Sequence, residues 1–456
     1  MVLTILVGVA SCSSQEPAVD EVDAVLGDYL TEPTNTRASD LIEVLGRQGR
    51  LEHTPFLVDL TRMNGSNRIR TQALTALAQI RARVDDTEPI EVGSDINGSY
   101  VELGTWVLDS TPPSEKHYQE YKALLYGKVD LEFAGLIEAV DDYQTLVGIQ
   151  WGGVAFGGVR ELNDPQKIPP QQANWGNNDE IVFVIRLGDN QVGYPRRVIA
   201  KHELSNDTFV DPATGVVNPF AIAYCSLCRT AVAYSRVLDG QELTFKTSGL
   251  LLNSNKLMVD DQTGTLWQLA TGVAISGPLK GHSLEILPVF VMGFGQLNDL
   301  DKVMLVDLPE PFIVDPETGT LVTYAYEDAD PLADYVAGGR LWFPVVGTDG
   351  LSDPLSEVWT ALVDGHPVAI DVTYLGDNGV AKITVGERDL LAKSDGNSAA
   401  LWDVTGLSEA EISTLTLDAG VLASSGVGIG NSSQMMMGRE AWFRWASAHP
   451  NAVRWP

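Results

Sequence analysis

The chain has 456 residues, 30 basic against 61 acidic side chains, a net charge of −31 at pH 7, and 44% hydrophobic residues. That much apolar material supports one or more proper cores and excludes global disorder, while so negative a surface repels phosphate backbones and argues against nucleic acid as a partner. Three cysteines are too few for a disulfide-stapled scaffold.

From the N-terminus, Val2 to Ala10 is a short apolar run, too short to span a bilayer as a helix but about the length of a signal-peptide core. It ends Val9-Ala10-Ser11-Cys12, which looks like a bacterial lipobox, although no Lys or Arg precedes it. The expectation is cleavage before Cys12, lipidation of that cysteine, and an exported protein anchored to the bacterial cell envelope through its lipid. A buried strand with an accidental cysteine is the plainer alternative. Residues 1–12 are thus read as signal peptide and lipobox. Residues 13–35, rich in Ser, Glu, Pro, Asp and Thr, are read as a flexible tether.

Residues 36–147 carry helical periodicity. Leu41, Val44 and Leu45 share a face, as do Ile69, Ala73, Leu77 and Ile80, and Asn64-Gly65-Ser66 separates two helices. Ser114 to Lys128 predicts another helix. From about residue 148 the texture becomes β. Glu180–Arg186, Ala221–Tyr224, Thr230–Val237 and Thr244–Lys246 alternate with turns at Gly188-Asp189-Asn190 and Asp239-Gly240. D-x-x-T-G recurs at Asp211, Asp260 and Asp315, a pattern suited to hairpin turns and lacking the spacing of a calcium loop. The stretch 260–272 resembles 393–406, each with an acidic turn, Leu-Trp and Thr-Gly, which predicts a duplicated unit. The fold expectation is α+β: a small helical region, then a β-rich domain of two related halves, 148–300 and 301–456.

With Cys12 assigned to the lipid, chemistry falls to Cys225-Ser226-Leu227-Cys228, set between strand-like runs. No helical period follows, so the helix dipole that activates a thioredoxin-type thiol is missing and the pair is placed on a β-turn. A knuckle of this kind suits a shared metal, a local disulfide or an exchange-active pair. A metal would need further ligands, for which His202 and Met258 are the candidates, and thiolate, imidazole and thioether together favour a soft ion, copper before zinc. Glu203 or Asp207 could fix the His202 tautomer. His202 to Asp207 lacks the second histidine of a zincin, and taken singly His202 reads as a structural histidine and Met258 as core. Three methionines, Met435 to Met437, read as a buried strand edge. No phosphate loop and no strand–helix G-x-G-x-x-G is present, so no nucleotide cofactor is expected.

Four segments in order, WGGVAFGGVRELNDP (151–165), VGYPRRVIAKHELSND (192–207), AYCSLCRTAVAYSR (223–236) and TSGLLLNSNKLMVDDQTGTLWQ (247–268), resemble the bacterial family called domain of unknown function 3179. WFRWASAHPNAVRWP at the C-terminus resembles its Trp…Trp…His-Pro segment. Here Gly193 replaces an Ala, Ser226 replaces the Pro of Cys-Pro-Leu-Cys, and Val259 replaces a Tyr. The resemblance supplies no activity. It implies that His202, Glu203, Cys225, Cys228, Met258, Asp261 and Trp267 belong to one domain. The functional expectation is soft-metal binding by Cys225, Cys228, His202 and Met258, with a thiol–disulfide oxidoreductase, or a scaffold or ligand-binding lipoprotein braced by the cysteine pair, as alternatives.

Overall fold

The computed structural model describes residues 21–300, 302–310, 312–314, 321–323, 326, 327, 330, 332–415, 417 and 434–455. Cys12, the apolar run before it and the Asp315 turn lie outside them. No helix among the described residues is long and apolar enough to cross a membrane.

The architecture is α+β. Eight helices come first: Glu21–Thr31, Asn35–Gln48, Thr54–Met63, Asn67–Asp85, Ile96–Asp109, Tyr118–Gly127, Leu131–Glu138 and Tyr143–Gly148. The expected tether is helical from Glu21 onward. Val22, Leu26 and Tyr29 recur at i, i+4 and i+7 and are all buried, and that stripe outweighs the polar composition around it. Leu41, Leu45, Ile69, Ala73, Leu77 and Ile80 fill the same core, as their spacing predicts.

At the centre of the helical layer lies an ionic network. Asp59, 2% exposed, accepts from the fully buried Lys122 at 3.0 Å and from the Tyr118 hydroxyl at 2.6 Å. Burial pushes the Asp59 carboxyl up, against the pull of Lys122, and pushes the Lys122 ammonium down.

The β-rich part folds one unit twice. In the first copy the strands Ile181–Leu187 and Asn190–Pro195 form a hairpin, the helix Arg196–His202 follows, and Leu204–Val210, Val217–Cys225 and Thr230–Ser235 make a meander. In the second copy the hairpin is Glu357–Val363 with His366–Asp371, the helix is Val372–Asn378, and the meander is Val380–Val385, Arg388–Ser394 and Ala399–Asp403. Each copy then returns a strand antiparallel to the first hairpin strand (Val289–Gly293; Gly438–Ala441). Each also adds one parallel to the second (Val303–Val306; Val453–Trp455). The two copies share a core in which Phe183, Ile185 and Tyr224 join Trp359, Ile370 and Leu390.

The two halves are present, but the Leu-Trp…Thr-Gly similarity does not align them. Leu266–Gln268 lies in a sheet inserted between Thr230–Ser235 and Ile286–Leu287, whereas Ala399–Asp403 belongs to the second meander. The two segments look alike because each is the second strand of a hairpin, with Trp267 opposite Met258 and Trp402 opposite Leu391. The inserted sheet runs Ile149–Trp151, Phe245–Leu252, Asn255–Asp260, Leu266–Gln268, Ala274–Ser276, and its Leu250, Leu257 and Val259 pack into the helical core. At its hairpin Asn253 and Ser254 take φ of 52° and 58°, the pair of left-handed positions a two-residue type I′ turn requires.

Candidate functional site

Cys225 ends its strand, opposite Thr230, and Ser226 to Arg229 close the hairpin. Arg229 has a φ of 60°, the left-handed conformation that turns the chain back after Cys228. The knuckle expected from the sequence is therefore a β-turn with no helix behind it. Its two sulfurs lie at disulfide-bonding distance and both cysteines are fully buried.

Around the sulfurs the inserted hairpin supplies polar partners. Asn255 donates its side-chain amide to Cys228 Sγ at 3.1 Å. The Ala270 backbone N–H donates to Asn255 Oδ1 at 3.1 Å, so the oxygen is taken and the amide nitrogen faces the sulfur. The Cys228 N–H donates to Cys225 Sγ at 3.3 Å. The Ser254 carbonyl oxygen stands 3.4 Å from Cys228 Sγ and 3.8 Å from Cys225 Sγ. Each sulfur thus has one N–H donor, which favours its thiolate form, and one carbonyl can receive the proton of whichever thiol is protonated.

The second copy grips the knuckle from behind. Ala441 N–H donates to the Cys228 carbonyl at 2.8 Å, and Arg229 pairs with Asp330 at 2.6 Å and Glu357 at 3.4 Å. Against a desolvation that would raise it, Arg439 and Arg229 hold Glu357 down to about 2.

The expected metal ligands part company. Met258 shares the apolar core of Cys225 and Cys228, but it sits in the inserted sheet and not in the meander that carries the cysteines. His202 closes the helix Arg196–His202. Its Nδ1 lies 2.8 Å from the Arg160 carbonyl and its Nε2 2.6 Å from the Tyr326 hydroxyl. A carbonyl only accepts, so Nδ1 carries the proton and Nε2 accepts from the tyrosine. Both nitrogens are thus engaged by oxygens, and among the described residues His202, Cys225 and Cys228 do not form a group with ligand atoms all within 4.8 Å of one another. Burial lowers its pKa, against the Arg160 bond.

The supporting roles expected of Glu203 and Asp207 also fall elsewhere. Glu203 ion-pairs with Lys256, while the buried Asp207 takes Lys167 and the Tyr194 hydroxyl. Asp261 pairs with Lys246 at the surface. Trp267 donates its indole N–H to Asp260 at 2.8 Å, and Asp260 accepts the Thr263 N–H at 2.7 Å, the turn chemistry expected of D-x-x-T-G. Met435, within the strand Gln434–Met436, is exposed, and Met437, just after it, is buried, so the expected buried edge holds for Met437 and not for Met435.

A cavity of about 210 Å³ adjoins the knuckle. Distant sequence segments meet in its wall: Gly152 and Val154, Ala200 and Glu203, Ser226 and Leu227, the inserted hairpin around Gly249 and Lys256, and Leu332 with Trp342 and Phe343. Gly249, at a φ of 79°, bulges the inserted strand, and a Cβ there would stand 2.7 Å from the Val154 carbonyl, so only glycine fits. Ser254, Asn255, Lys256 and Arg229 escaped the sequence reading. The Asn253-Ser254 pair between two apolar runs was the available signal, since it marks a hairpin that would carry its neighbours to the site.

Among the described residues, Asp23, Glu115 and His117 bring ligand-type atoms within 4.8 Å of one another. They lie in the helical region, where Asp23 already holds Lys116 at 2.9 Å.

No curated protein and no solved structure matches the chain. The family model described as "Protein of unknown function (DUF3179)" matches residues 157–452, which takes in the knuckle, the inserted sheet from Phe245 onward, the first copy of the repeated unit and all of the second but its closing strand. The chain belongs to the DUF3179 family.

Proposed function

We propose that Cys225 and Cys228 form a reversible thiol–disulfide couple serving a small molecule in the adjoining cavity. The observation that carries this reading is the fixed Asn255 amide donating to Cys228 Sγ, joined by the Cys228 N–H on Cys225 Sγ. Donors of this kind replace the helix dipole that the sequence lacks, because N–H groups pointed at sulfur stabilise its anion. Reduction by an external dithiol, itself oxidised to its disulfide, breaks the S–S bond with two electrons. One sulfur takes up a proton and turns it to the Ser254 carbonyl, and the other remains a thiolate under its one N–H donor. Ser226 and Leu227, between the cysteines, line the cavity and set the couple one residue from a bound molecule. An oxidising compartment suits such a pair, in keeping with the exported, lipid-anchored form that Cys12 implies.

The test is to equilibrate the full chain in graded dithiol–disulfide buffers, trap free thiols and weigh the products. An exchange-active pair titrates above about −300 mV, whereas a pair still oxidised below that potential is a structural brace and overturns the reading.

A second reading keeps the soft metal. The same N–H donors stabilise metal-bound thiolates, and both sulfurs lie on one side of the turn. Native mass spectrometry of the reduced chain with Cu(I) and with Zn(II) separates the two. One tightly held ion, lost in Cys225→Ser with Cys228→Ser, would favour the metal.

A further inference from the structure

Five leucines line the cavity beside the knuckle, together with Trp342 and Phe343. Into this apolar lining two charged groups intrude, Glu203 and Lys256, which pair with each other and are only 18% and 14% exposed. Glu203 is held there by backbone geometry. It caps the Arg196–His202 helix at a φ of 61°, its N–H bonded to the Ile199 carbonyl at 2.7 Å. Lys256 follows Asn255 on the inserted strand, so the residues that address the sulfur and the cavity are sequence neighbours.

An occupant must respect the charge balance. The pair is neutral as it stands, so a ligand bearing only a carboxylate would leave a net negative charge in a partly dehydrated site. One bearing only an amine would leave a net positive charge, and burying either unpaired charge is costly. A zwitterion adds both signs at once. Its carboxylate can take further N–H donors of the Lys256 ammonium, which has three, and its ammonium can take the second oxygen of the Glu203 carboxylate. Ser226 lies in the same wall, 6% exposed, and its Oγ has no hydrogen-bond partner among the described residues, so it can serve either end. Size sets the rest. At about 30 Å³ per water, 210 Å³ has room for roughly seven waters, or a compact molecule of about seven to ten non-hydrogen atoms.

We propose that this cavity binds a small zwitterion with an apolar side chain, of amino-acid size, its charged end on the Glu203–Lys256 pair and its side chain among the leucines. The proposal rests on the reading of the cavity as the ligand site of the redox pair, yet it is tested by binding alone.

The probes are L-leucine, 4-methylpentanoate, which lacks the amine, and 3-methylbutylamine, which lacks the carboxylate. Titration calorimetry on the full-length oxidised protein should show L-leucine binding about tenfold or more tightly than either analogue, the usual worth of one charge-assisted hydrogen bond. Glu203→Gln should draw L-leucine down toward 4-methylpentanoate while leaving the latter no weaker. If Glu203→Gln fails to fold, the three-probe series on the wild-type chain decides alone. Equal affinity across the three probes, or no heat from L-leucine at millimolar concentration, overturns the proposal. Neither result moves the reduction potential, so the redox reading stands or falls separately.

Discussion

Asn255 and Cys228 come from different parts of the fold, the inserted hairpin and the first meander, and meet through one hydrogen bond of 3.1 Å from amide to sulfur. The amide cannot turn away without breaking its bond from Ala270. A fixed donor on a buried sulfur matters most when that sulfur carries charge.

Asn255→Ala should therefore disfavour the reduced form. A hydrogen bond to a charged group contributes about 1.5–3 kcal/mol, so the reduction potential should fall by roughly 30–60 mV. Thiol trapping in graded redox buffers reads it. A potential unchanged within error would remove Asn255 from the chemistry.

The His202 imidazole is held neutral, with its pKa below the ordinary value of about 6.5 because of burial. A histidine whose folded pKa is depressed binds its proton more readily when unfolded. Its contribution is thus complete above about pH 6.5 and is lost as pH falls through the folded value. Urea melts of wild type and His202→Gln should show the variant with a flatter stability profile on the acid side of pH 6.5. Parallel profiles would mean that another group controls that limb.

Lys122→Met should destabilise the helical region by about 3–5 kcal/mol, because it leaves the Asp59 carboxylate buried without its cation. Adding Asp59→Asn should recover much of that loss, since the network then buries no charge. Thermal melts of the single and double variants test the pair, and equal losses in both would show that the Tyr118 and Tyr126 hydroxyls, not the charge, dominate.

Ser254 occupies a left-handed position that a β-branched residue tolerates poorly. Ser254→Gly should keep the turn and leave stability within about 1 kcal/mol or raise it, whereas Ser254→Val should cost more than that and displace the carbonyl from the sulfurs. Melting temperature and thiol reactivity, measured on both variants, give the two readouts.

Much of the fold was legible because local pattern and tertiary burial agree. Ile69, Ala73, Leu77 and Ile80 predicted a helix face and fill a core, and the Cys225 turn predicted a knuckle and makes one. The helix Glu21–Thr31 was hidden by composition, since its stripe of three buried residues sits among acids. The knuckle's partners were hidden for a different reason. His202 lies beside Tyr326 across 124 positions, and Asn255 reaches a sulfur 27 positions away, and spacing along a chain does not report which turn faces which. The duplication was visible only as a misleading echo, because two hairpins of like geometry select like residues whether or not they occupy equivalent places.

The second meander makes the turn from Ser394 to Ala399 that corresponds to the cysteine knuckle, and it does so with Asp395, Gly396, Asn397 and Ser398. There Asp395 accepts the Asn397 and Ser398 N–H groups at 2.9 and 2.8 Å and closes the loop without sulfur. The chain thus carries its own cysteine-free control. A unit that closes this corner with a carboxylate shows that the repeated fold has a second way to make the turn, so replacing the first copy's corner with the Asp395 one asks directly whether the sulfurs serve shape or chemistry.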